Sequence, residues 1–374
     1  MVLRKSGLAV AVLLAFSPAA FSSDLNINGF MNVTAGNLST EDISLDGYDD
    51  GVSFDVGTLV GLQISKQVNE TTSATMQLIS RGSDNYSTEA SWAYVTYAAS
   101  EDTDIRMGRL RTPFFYYSDF LEVGYAYNWV RPPSIVYRLD AFSSISGVDV
   151  THRFAIGGMD GSVQAYTGRY NDDFTLSGDT YNIELRRAAG MVFSLNSGDF
   201  GARLSYHQAD LTLDANAALA GPDGRALDNL AAGGALAGVG DEFTADEDKA
   251  KFYQASVSYD NGSTAVIAEW TALDQTTALL NDDSAYLISA AQRFGDTTVH
   301  LTYTASEDDL ESGVVGQVQK NAESKENSII LGMRYDYDSS TAFKVDIQQH
   351  DEELVNGAKG ESGILYNVGM SLVF

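Results

Sequence analysis

Seven charged residues stand close enough in the chain to share one task. Arg106, Arg109 and Arg111 alternate with other residues just ahead of the acids Asp119, Glu122 and Asp140, and Arg81 ends an earlier apolar run. Guanidinium groups facing carboxylates across a wet gap create a transverse field. Such a field orders water, favours small polar solutes and rejects apolar ones. This is selection by charge, and it needs no bond-making. Nothing in the sequence calls for covalent chemistry, a metal or a cofactor. The four histidines, His152, His207, His300 and His350, are too scattered to form a ligand pair. No Ser-His-Asp set, phosphate loop or Gly-x-Ser-x-Gly element is present. The acids of 241–248 lack the glycine and ligand spacing of a calcium loop.

The elements that must hold these charges are strands. Val299, Leu301, Tyr303 and Ala305 alternate with His300, Thr302 and Thr304. Phe343, Val345 and Ile347 alternate with Lys344, Asp346 and Gln348. A period of two with one apolar face is the mark of a half-buried strand. Sixteen such segments are expected, near 24–36, 58–68, 73–81, 88–98, 104–111, 144–154, 161–170, 181–195, 200–211, 250–260, 263–274, 284–294, 297–306, 327–337, 342–350 and 363–374. Short connections such as Asp260-Asn261-Gly262 alternate with long ones near 38–57, 112–143, 212–249, 307–326 and 351–362. An even number of strands, short turns at one end and long loops at the other predict an all-β, transmembrane antiparallel β-barrel. The opposite face of the strands carries Glu184, Arg186, Glu269, Arg334, Lys344 and Asp346, which suits a wet lumen better than a soluble sandwich.

The chain has 374 residues, no cysteine and a net charge of −28. Disulfide scaffolds are excluded, and nucleic acid is a poor partner for so acidic a chain. Residues 1–22 have the layout of a cleaved signal peptide: Arg4 and Lys5, an apolar run from Leu8 to Phe16, and small residues before a cut after Ser22. Residues 23–374 then form the barrel domain. Its last strand ends on an apolar stripe of Tyr366, Val368, Met370, Leu372 and Phe374 with no polar tail. A barrel explains this, because the last strand pairs with the first and its apolar face meets lipid.

The stretch Arg106-Met-Gly-Arg-Leu-Arg-Thr-Pro-Phe114, leading into a long loop, resembles the Gram-negative porin family, as does the terminal Phe374 with its alternation. The resemblance extends over the whole chain after the leader in strand number and rhythm. It implies a homotrimer in the outer membrane, with a third loop folded inside as the constriction and a C-terminal signal read by the barrel-insertion machinery. Loop 112–143 is the candidate constriction, and it is rich in Phe and Tyr, including Phe114, Phe115, Tyr116 and Tyr117. It departs from the Pro-Glu-Phe-Gly-Gly-Asp type of many enterobacterial porins. By parity Arg81 and Arg106 point into the lumen, while Arg109 and Arg111 disagree with Arg106. The expected function is passive diffusion of ions and small hydrophilic solutes, with the sign of selectivity left open. The alternative is a substrate-selective channel for a small anion such as a dicarboxylate. A barrel enzyme lacks a nucleophile–base pair, and an adhesin has no use for an inward loop.

Overall fold

The computed structural model describes residues 25–41, 43–139, 142–176, 179–213, 245–277, 282–309, 324–354 and 359–374. Asp140, residues 1–22 and most of the 212–249 and 307–326 connections lie outside them. Sixteen strands follow in order: β1 (Leu25–Leu38), β2 (Leu59–Asn69), β3 (Thr72–Arg81), β4 (Thr88–Ser100), β5 (Thr103–Arg111), β6 (Ser144–Ile156), β7 (Met159–Leu176), β8 (Asp179–Ser197), β9 (Phe200–Leu213), β10 (Ala245–Asp260), β11 (Thr264–Gln275), β12 (Asp282–Phe294), β13 (Thr297–Asp309), β14 (Ser324–Asp336), β15 (Thr341–Leu354) and β16 (Lys359–Val373). Each pairs antiparallel with its chain neighbours, and β16 pairs with β1 to close the barrel. All sixteen expected segments are strands. β7 and β8 run further than the alternation suggests, because a hairpin can continue its ladder beyond the apolar belt that marks it.

The burial pattern is inverted relative to a soluble protein. On β13, Leu301 and Tyr303 are exposed, whereas His300, Thr302 and Thr304 are buried. The same holds on β15, where Phe343 and Ile347 face out and Lys344, Asp346 and Gln348 are buried. An apolar outer surface is stable only in lipid. On the enclosed polar face Thr302 is hydrogen-bonded both to the wall, through Ser289, and to the loop that lies on it, through Trp129.

Closure is a local fit as well as a ladder. The Gly29 and Phe374 amides and carbonyls exchange bonds of 2.7 and 2.9 Å. A Cβ on Gly29 would stand 2.2 Å from the Phe374 ring, so a larger residue there would have to push the terminal aromatic aside. Tyr366 and Val368 lie exposed on the outer face of β16, with Met370 and Leu372 half-buried between them and Phe374.

Candidate functional site

Loop 112–143 leaves β5 and folds into the barrel, with two short 3-10 turns at Ser118–Phe120 and Gly124–Ala126. It builds an apolar core inside the lumen. Phe114, Phe115, Tyr127, Trp129, Val136 and Tyr137 pack against Phe252 of β10, Ile267 of β11, Leu287 of β12 and Ile330 of β14. Phe115 meets Phe252 and Tyr137 edge to face, at centroid separations of 5.4 and 5.1 Å. These are the favoured aromatic geometries.

The loop's polar groups are met by charged side chains of the wall. Glu269 of β11, 2% exposed, accepts bonds from the Tyr116 amide (2.7 Å), the Tyr137 hydroxyl (2.7 Å) and Gln254 (2.9 Å). Burial, and then the neighbouring Glu269 carboxylate, hold the Tyr137 phenol well above its ordinary pKa, so it stays a donor. Arg203 of β9 donates to the Phe114 carbonyl at 3.1 Å. Arg334 of β14 donates to the carbonyls of Tyr125 (2.7 Å) and Tyr127 (3.0 Å). Lys344 of β15 donates to the carbonyls of Gly124, Tyr127 and Trp129. Asp346 accepts the Val130 amide at 2.7 Å. Glu269, Lys344 and Asp346 are therefore not wet lumen charges, because the loop lies directly on them. Glu184 and Arg186 do not line this part of the wall either; they pair with each other at 2.9 Å near the start of β8.

The structure brings some of the seven charged residues together and keeps others apart. Glu122 is buried and paired with Arg81 of β3, which also holds Glu89 of β4. Arg111 turns inward despite its parity: its Nε donates to the Ser118 carbonyl at 2.8 Å, and its Nη1 lies 3.4 Å from Glu122. Arg106 is committed to Asp149 of β6, its Nε 3.0 Å from both carboxylate oxygens. Arg109 donates along the wall to the Ser91 carbonyl of β4 at 3.3 Å and pairs with no acid among the described residues. Gly108 between them has a φ of +141°, and a Cβ there would strike the Ala93 carbonyl. Asp119 is exposed, and no described cation lies within ion-pair distance of it. It borders a cavity of about 370 Å³ with Arg106, Arg153, Arg203 and Asp104. The expected acid cluster opposite a basic wall is thus replaced by direct pairs. A buried charge without a partner is costly, and the loop is long enough to carry Glu122 back to Arg81.

Two features are faint in the sequence. Loop 39–58 also folds inward: Tyr48 is fully buried against Leu38 and Leu365, and the Arg131 guanidinium lies 5.5 Å above its ring. A lone tyrosine in an acidic loop is its main signal. The second is the set of wall anchors for loop 112–143, which are separated from it by up to 220 residues.

A family model described as Gram-negative porin matches residues 9–353. The chain belongs to this family. It is an outer-membrane protein that forms a channel for small solutes, and family and fold point to a channel rather than an enzyme. Comparison with curated proteins gave no match. Among solved structures, the porin is similar to the outer-membrane channel DcaP of Acinetobacter baumannii, with a TM-score of 0.62 at 11% identity over 94% of this chain and 97% of that one. The anion-selective porin from Comamonas acidovorans gives 0.59 at 13% identity, over 94% and 100%. The trimer form of OmpT from Vibrio cholerae gives 0.58 at 10% identity, over 94% and 99%. At these identities the likeness is one of fold.

Proposed function

We propose that this porin is a diffusion channel with a modest preference for cations, narrowed by loop 112–143. The observation that carries the reading is the asymmetry of charge commitment around that loop. Arg81, Arg106, Arg109, Arg111 and Arg203 are each engaged by an acid or a carbonyl, whereas Asp119 is exposed and uncommitted. Within this set the Asp119 carboxylate is the charge left without an ion-pair or hydrogen-bond partner among the described residues. The net charge of −28 enriches cations near the mouths in the same sense. Arg81, Arg106, Arg109, Arg111, Asp119 and Glu122, together with Asp140, are the proposed constriction set.

A second reading is a channel selective for a small anion such as a dicarboxylate. Arg109 and Arg203 favour it, because bonds to neutral carbonyls leave their charge uncancelled. One structural neighbour is an anion-selective porin. Zero-current potentials of the refolded protein under a potassium chloride gradient decide between the two. The cation reading requires a potential of cation sign and no block by millimolar dicarboxylate. An anion sign, or block by the dicarboxylate, would overturn it.

We further propose that the leader 1–22 is removed on export and that the mature chain assembles as a homotrimer in outer-membrane lipid. The stripe Tyr366, Val368, Met370, Leu372 and Phe374 would be read by the insertion machinery. A neighbour solved as a trimer supports the assembly. Cross-linking of the protein in detergent, stopping at three chains, is the expected result; a ladder stopping at one would overturn it.

A further inference from the structure

We infer that Lys344 is a positioning residue of the channel: its ammonium occupies the place a bound cation would take and sets the path of segment 124–130 across the lumen. An ammonium has three N–H donors and no acceptor. Lys344 Nζ spends them on three carbonyls of one segment, those of Gly124, Tyr127 (2.7 Å) and Trp129 (2.8 Å), and lies 4.6 Å from the centre of the Tyr127 ring. Three backbone oxygens and a ring face converging on one buried nitrogen form a cup for a monovalent cation, filled here by a side chain.

The neighbouring wall makes the cup more than a local contact. Arg334 is the direct cross-strand partner of Lys344, so two like charges stand side by side on the inner face. Such a pair is unfavourable unless something screens it. The screen is shared by Asp336 and the segment itself. Arg334 takes the Tyr125 and Tyr127 carbonyls and stacks 4.6 Å over the Tyr125 ring, and its Nε reaches Asp336 at 2.8 Å. Two residues along from Lys344, Asp346 takes the Val130 amide at 2.7 Å and approaches His300 Nε2 at 3.2 Å. Segment 124–130 thus presents carbonyls to two cations and its Val130 N–H to an anion. Slipping the segment by one residue would put an amide where a carbonyl is needed. The wall fixes its register as well as its height.

The porin has no cysteine, so one reporter thiol reads the segment cleanly. Asn128, part-exposed within it, is replaced by cysteine in the full-length protein, and the variant is required to show native conductance in a planar bilayer. Its reaction with a charged maleimide is then timed with and without Lys344→Ala. Losing three charge-assisted bonds should speed labelling at least about tenfold and spread the single-channel current over several levels. Propylammonium matches the atoms that alanine removes, and it should slow labelling back toward the parent rate, while potassium chloride of equal strength should not. Parent-rate labelling in Lys344→Ala overturns the inference. Fast labelling that propylammonium leaves unchanged also overturns it, since an ammonium of the removed shape would then not restore the segment's position. Where Lys344→Ala fails to refold, Lys344→Met keeps most of the stem and removes the ammonium with its three donors; fast labelling supports the inference and parent-rate labelling overturns it.

Discussion

Glu122 holds two arginines at once, so its charge sets how much of theirs is cancelled. Arg81 and Arg111 both point at its carboxylate, and the Ser91 hydroxyl lies 3.5 Å from it. Replacing it by glutamine keeps the shape and removes the charge. Arg111 then confronts passing ions without a counter-charge, and Arg81 keeps only Glu89. A unit charge about 4 Å from an ion in water is worth roughly 1 kcal/mol, so Glu122→Gln should move the permeability ratio toward anions by about fivefold. Zero-current potentials measure this, and an unchanged ratio would mean that Arg81 and Arg111 lie off the ion path. The types of Arg81, Arg106, Arg111 and Glu122, and their closeness along the chain, are legible in the sequence. Their pairing is not. Strand parity sets a direction for a side chain on a regular strand, but Arg111 is the last residue of β5, where the chain leaves for the loop, and a loop residue such as Glu122 has no parity at all.

At the scale of elements, loop 112–143 behaves as a small hydrophobic core turned inside a polar shell. Its aromatics give it a firm seat on β10 to β14, and the charged anchors then fix its register. Phe115 is the test of the first part, since it is buried between Phe252 and Tyr137. Phe115→Ala should destabilise the seat by about 3 to 5 kcal/mol, the usual cost of emptying a buried aromatic site. The strands around it would remain. The measurable outcome is a loss of near-ultraviolet circular dichroism and noisier single-channel current, with the far-ultraviolet β signal intact. Loss of the β signal too would show that the loop core supports the barrel itself. The strands are readable because lipid on one side and polar groups on the other enforce a strict alternation over about ten residues each. The aromatic excess of the loop also announces an inward packing element. The wall it packs on is hidden, because lumen residues such as Glu269 and Lys344 look the same in sequence whether they face water or a loop.

For the whole molecule, two long-range facts matter: the ring closes between the chain's first and last strands, and the net charge is strongly negative. Closure places the Phe374 ring over Gly29, so Gly29→Val should cut the yield of heat-resistant folded barrel sharply, while the same change at solvent-facing Gly262 should act only through its turn. A normal yield from Gly29→Val would show that the terminal ring can lie elsewhere. Charge raises a subtler question. The −28 total and the free carboxylate of Asp119 both favour cations, and one bilayer measurement of their sum cannot separate them. Salt can. The screening length is about 10 Å at 0.1 M and about 3 Å at 1 M, so charges on distant loops fade while a charge beside the ion path persists. The native porin should keep part of its cation preference at 1 M salt. Asp119→Asn should still prefer cations at 0.1 M, through the distant charge, and lose the preference at 1 M. If the native preference vanishes at 1 M, selectivity belongs to the mouths, and Asp119 is one acid among many. If Asp119→Asn keeps its preference at 1 M, another carboxylate lies closer to the ions, and the balance of paired charges along the loop must open somewhere other than at residue 119.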